Sequence, residues 1–185
     1  MSTNQELFEL KFYEWEKKFK DKPYLRQPFG DEWEEYTWGK VGDMARRLAT
    51  GLKSLGLRDG AHIGIYSKNC REWIISDLAI VMAGYVSVPF FPSLNGKELS
   101  YIMEYGDVDA LFIGKIETWD DIKNDLPSDI PVITYPHYKG CSEVTRGFKW
   151  HDFINSYEPI QNPNKPKLSD LWTIIFTSGT TGNAK

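Results

Sequence analysis

The 185-residue sequence predicts an α/β fold: a mainly parallel sheet with helices on both faces, preceded by an N-terminal helix and a β-hairpin. Three observations carry this. Short apolar strands alternate with helical periodicity from residue 37 onward, the pattern of parallel strands joined by covering helices. Residues 70–83 form a helix that is apolar on most sides, with Trp73, Ile74, Ile75, Leu78, Ile80, Val81 and Met82, so it should be buried. Residues 85–91 are β-rich with few polar side chains, as expected of a strand covered on both faces.

In chain order, residues 4–20 carry an imperfect apolar stripe of Leu7, Leu10, Trp15 and Phe19, which predicts a helix. Residues 24–26 and 33–37 flank a turn containing Pro28, Gly30 and Asp31, which predicts a hairpin. Residues 1–36 are read as this N-terminal piece and 37–185 as the α/β unit. Val41, Met44, Leu48, Leu52 and Leu55 recur at helical spacing. Thr37 is placed to cap that helix and Gly56 to end it. Residues 61–66 form a strand. Asn69 with Glu72, and Asn95 with Glu98, resemble capping boxes at the starts of the next two helices. Pro89 lacks a ladder donor and is placed at a strand end. Further strands are expected at 110–113, 131–135 and 170–177, with helices at 118–126 and 150–157. Residues 136–148 read as an irregular loop and 162–167 as a polar linker.

Composition excludes several function classes. The net charge is −4, so no global field draws the chain to nucleic acid, and none is expected as a partner. Cys70 and Cys141 are the only cysteines and form no CxxC or Cys/His cluster, against a zinc site or a disulfide framework. Residues 1–10 lack the basic start and apolar run of a signal peptide, and residues 78–91 are too short and broken to span a bilayer. A cytoplasmic location is the expectation. His62, His137 and His151 are scattered and are read as packing or surface residues. Glu32, Glu34, Glu35, Asp120 and Asp121 are read as solvated carboxylates. Cys70 stands near a helix start, where a thiol can be acidified, but a small, partly buried residue is the plainer reading.

The chemistry concentrates in residues 177–185, TSGTTGNAK, directly after an apolar β-former run. Gly179 and Gly182 let the backbone approach a ligand without a Cβ. Thr177, Ser178, Thr180 and Thr181 supply hydroxyls, successive N–H groups can converge on an anion, and Lys185 adds a positive charge. Such a set suits a polyphosphate. The spacing is not that of a P-loop, because Ala184 stands where its second glycine is required, and no GxGxxG follows a predicted strand.

TSGTTGNAK resembles the phosphate-loop signature of the adenylate-forming acyl-CoA synthetase superfamily, with Ala184 where that family usually has proline. EWEEYTW, RRLATGLKSLGL, HIGIYSKN, REWIISDLAIVMAGYVSVPFFPSL and ELSYIM resemble, in order, the N-terminal part of long-chain fatty-acid–CoA ligases. The likeness covers residues 6–114 and 168–185, and 115–167 carry little of it. It implies a partial N-terminal domain of that fold. It also implies a two-step reaction in which ATP and a fatty acid give an acyl-adenylate and pyrophosphate, and CoA then takes the acyl group. Thr177, Ser178, Gly179, Thr180, Thr181, Gly182 and Lys185 would hold the ATP phosphates, with Mg²⁺ sharing their charge. No catalytic or metal-binding residue of that scheme is assigned within the chain. The expectation is an N-terminal fragment, inactive alone and prone to self-association. Peripheral membrane contact of a full-length enzyme stays open here. So do an aryl or amino acid substrate and a non-catalytic anion-binding module.

Overall fold

A computed structural model describes residues 8–177. Helix α1 (Phe8–Phe19) leads into an antiparallel hairpin of β1 (Pro23–Phe29) and β2 (Glu32–Thr37). Helix α2 (Trp38–Ser54) follows. Then β3 (His62–Ser67), β4 (Val86–Phe90), β5 (Val108–Gly114), β6 (Val132–Thr134) and β7 (Phe148–Lys149) form one sheet. Every pairing in it is parallel, in the order β4-β3-β5-β6-β7. The connections carry α3 (Arg71–Ala83), α4 (Gly96–Tyr105) and the short α5 (Trp119–Ile122), and α6 (Trp150–Asn155) follows β7.

Strand alternation splits the core in two. Ile63, Ile65, Ala110, Phe112 and Ile133 face α2, α3 and α6. Val88, Leu111, Ile113 and Val132 face α4 and α5. Gly64 lies on the second face, where a Cβ would come within 2.8 Å of the Leu111 side chain and 2.7 Å of the Phe90 ring. Helix α3 is buried on nearly all sides, as its composition predicts.

The helix ends show which local signals act. The Thr37 hydroxyl accepts the Lys40 N–H at 3.2 Å, and Gly56 takes φ 69° just past α2. Asn95 and Glu98 form a full capping box at α4. Thr37→Ala should therefore cost about 1 kcal/mol in chemical denaturation, the usual worth of such a cap. Asn69 and Glu72 do not form the expected box. The N-cap of α3 is Cys70, which makes no side-chain cap, and the Glu72 carboxylate is engaged elsewhere.

Three other expectations change. The helix expected over 118–126 closes after Ile122. Residues 162–167 are anchored, because Asn164 donates its backbone N–H to Met82 O and its side-chain amide to Val81 O. The strand expected over 170–177 is reduced to one parallel bridge, Thr173 to Ser87. Pro89 explains this. Val86 N–H donates to Ala61 O in the direction of β3, whereas Ser87 N–H donates to Trp172 O on the other side. By alternation Pro89 also faces 171–177, and it has no N–H for the next rung.

Candidate functional site at the carboxyl edge of the sheet

The chain leaves β3 to form β4 on one side of it, then returns to place β5 on the other side. In a parallel sheet the crevice at such a reversal, outside the strand carboxyl ends, is where ligands bind. Here that rim consists of Ser67 at the end of β3, Lys68 and Asn69 after it, Phe91 and Pro92 after β4, and Lys115 after β5. They share a cleft of about 570 Å³ with Trp73 and Ile175. A neighbouring cleft of about 480 Å³ runs past Asn69 and Lys115 to Arg26 and Gln27 of the hairpin.

Two lysines are held at this rim. Lys115 adopts left-handed backbone, φ 47°, and its Nζ donates to the Asn69 carbonyl at 2.6 Å. It also lies 5.0 Å from the Tyr138 ring centroid. Lys68 pairs with Glu117 at 2.6 Å. A non-glycine residue in this backbone region carries strain, which tends to collect at functional sites. Neither lysine stands out in the sequence, because nothing local marks a strand end as a ligand rim.

Beneath the rim lies a buried ionic network. The Arg71 guanidinium sits 4.1 Å from the Tyr36 ring centroid and 4.8 Å from that of Phe29. Its Nε donates to Glu72 at 2.9 Å and its other arm to Glu34 at 2.7 Å. Glu72 is fully buried and also accepts from the Tyr138 hydroxyl. Burial disfavours the Arg71 charge, yet the hydrogen bonds to Glu72 and Glu34 hold its pKa above the ordinary value. Burial, and then the Glu72 charge, push the Tyr138 hydroxyl up. This network ties the hairpin, the start of α3 and the loop after β6 into one support for Asn69 and Lys115.

Cys70 is not an acidified thiol. Burial, reinforced by the Glu72 charge, pushes it up to about 11, against a lesser opposing pull from the nearby Trp73 N–H dipole and the Ser67 hydroxyl. Native Cys70 should thus alkylate at least about a hundredfold more slowly at neutral pH than a free cysteine of pKa about 8.5. Iodoacetamide labelling with mass spectrometry reads this. The raised value stabilises the fold below pH about 8.5, and that contribution fades as pH rises towards about 11.

The segment 171–177 runs parallel to β4, so Thr177 leaves it at the same carboxyl edge, with Ile175 already in the cleft wall. Thr177 is exposed. The other expected phosphate-binding residues, Ser178, Gly179, Thr180, Thr181, Gly182 and Lys185, lie outside the described residues. Among the described residues no group of three His, Cys, Asp or Glu converges to hold a metal ion. Among them, too, no helix is long and apolar enough to cross a membrane.

Comparison with known proteins agrees with this fold. Over 160 residues the chain is 31% identical to "Long chain acyl-CoA synthetase 4" of Arabidopsis thaliana, covering 80% of this chain and 24% of that protein. Over 163 residues it is 26% identical to "Long chain acyl-CoA synthetase 1" of the same plant, with the same two shares. The chain thus spans about a quarter of the length of these curated relatives. Its fold matches that of an anthranilate CoA ligase solved with anthranoyl-AMP, with a TM-score of 0.76 at 21% identity, over 94% of this chain and 32% of that one. The family model described as "AMP-binding enzyme" matches residues 12–185, and the chain belongs to that family.

Proposed function

We propose that this chain forms the front of an ATP-dependent, AMP-forming ligase that activates a long-chain fatty acid as acyl-adenylate and passes it to CoA. One observation carries the proposal. Residues 177–185 of a member of the AMP-binding family begin where a segment parallel to the sheet reaches its carboxyl edge, beside the cleft at the chain reversal. From there Thr177, Ser178, Gly179, Thr180, Thr181, Gly182 and Lys185 hold the β- and γ-phosphates of ATP. Main-chain N–H groups, hydroxyls and one ammonium position the triphosphate and stabilise the charge on the departing pyrophosphate. The choice of a long-chain acid is supported by the relatives named as long-chain synthetases. The fold likeness to a ligase of an aromatic acid speaks to architecture alone.

The test is ATP–pyrophosphate exchange by the intact gene product, with palmitate, benzoate and an amino acid mixture compared. Exchange at least tenfold faster with palmitate is expected. Preference for benzoate or an amino acid would overturn the substrate class, and no exchange with any acid would overturn the activity. The 185-residue chain by itself should give no exchange above a blank.

A further inference from the structure

Backbone pairing between β4 and the segment that leads to residue 177 ends at Ile174. Ser87 N–H donates to Trp172 O, and Ser87 O accepts the Ile174 N–H. The donor due next to Ile174 O belongs to residue 89, and Pro89 has none. Among the described residues no later rung to β4 forms. A side chain holds the chain beyond that point. Phe176 is only 8% exposed, whereas Ile175 and Thr177 on either side of it are exposed. Its ring lies over that of Phe90, the last residue of β4, with centroids 6.5 Å apart and planes at 16°. It also meets the ring of Tyr105, the last residue of α4, edge to face at 6.1 Å. Gly106, which caps α4, completes the seat. A Cβ there would come 3.0 Å from the Phe176 Cζ, 3.1 Å from its Cε2 and 3.0 Å from Ile102 O. Gly106 has φ −83°, which any residue adopts, so the missing side chain serves the close approach and not the backbone.

We propose that Phe176 is a positioning residue for ATP: its ring, seated between β4 and the end of α4, replaces the rung that Pro89 withholds and fixes where the stretch 177–185 begins. The inference rests on the phosphate-binding role proposed for that stretch. Phe176 acts through Thr177 and not on the nucleotide itself. Ile175 lines the cleft, while Phe176 packs with Ile174 into the core on the α4 side of the sheet. Thr177 follows the ring directly, and one extended residue spans only about 3.3 Å. A ring that leaves its seat therefore carries Thr177 with it by an ångström or more. A misplacement of about 1 Å in a positioning group can cost a reaction about a hundredfold. Gly106, on another element and remote in sequence, belongs to the same device, because it leaves the space that the ring occupies.

ATP–pyrophosphate exchange by the intact gene product, with palmitate as the acid, tests the proposal. Phe176→Ala should raise the KM for ATP on the order of tenfold or more and leave the KM for palmitate unchanged. Loss of folded protein alone lowers kcat and moves neither KM. Phe176→Leu keeps an apolar side chain in the seat and should recover most of the loss. Gly106→Ala pushes the ring from α4 and should raise the KM for ATP by itself. Combined with Phe176→Leu, whose side chain stops short of the Cζ position, it should add almost nothing, and that non-additivity ties Gly106 to the ring. This pair carries the test if Phe176→Ala does not fold. Amide hydrogen exchange without nucleotide reads the seat apart from catalysis, and the Ile174 N–H should exchange about tenfold faster in Phe176→Ala than in the parent. An active parent whose KM for ATP stays the same in Phe176→Ala and Gly106→Ala would overturn this inference alone, and so would an unchanged Ile174 amide. A parent that shows no exchange with any acid would overturn the phosphate-binding reading and this inference with it.

Discussion

Glu72→Ala should lower the melting temperature by roughly 6–12 °C, from a loss on the order of 3 kcal/mol. Glu72 is fully buried and is the shared acceptor of Arg71 and Tyr138. Its loss leaves a largely buried guanidinium with one remaining carboxylate, Glu34, and a phenol hydroxyl with no acceptor. Breaking a buried pair from one side costs more than the pair was worth, because the remaining charge stays out of water. The control is Glu34→Ala. That carboxylate is about half exposed, with 53% of its side chain accessible, so solvent already screens it. Its removal should cost no more than about 1 kcal/mol. Differential scanning calorimetry separates the two, and equal losses would show that the buried network is not what holds the hairpin to the start of α3.

This network also shows where sequence reasoning stops. Thr37 and the Asn95–Glu98 box are local signals, and each acts within one helical turn. Helix α3 declares its burial by having too few polar residues to face water. Asn69 and Glu72 carry the same local pattern as Asn95 and Glu98, yet no box forms. The Glu72 carboxylate is taken by Tyr138, 66 positions away, and by Arg71. No window a few residues wide contains that competition. The order of strands is likewise a property of the packed sheet, so the reversal between β3 and β5, and with it the rim of Lys68 and Lys115, was not legible. The strand expected over 170–177 failed for a reason visible in the sequence but lying on another element, since Pro89 withholds the donor for its second rung. The stretch proposed to bind phosphate stood out because glycine, hydroxyl and lysine residues crowd directly behind an apolar run.

Lys185→Ala in the intact gene product should slow ATP–pyrophosphate exchange by about a hundredfold or more, the usual effect of removing one preorganised donor from a developing negative charge. In the proposed role the ammonium meets phosphate and not the acyl group, so the KM for the acid should be unchanged. Lys185→Arg keeps the charge but not the compact ammonium, and should recover part of the rate. A variant as fast as the parent would remove Lys185 from the site.

The most direct measurement is amide hydrogen exchange across residues 177–185 of the intact gene product, with ATP, with adenosine, or with neither. If main-chain N–H groups at the end of this sheet close around a triphosphate, ATP slows exchange through that stretch and adenosine does not. Equal exchange in all three states would contradict the account.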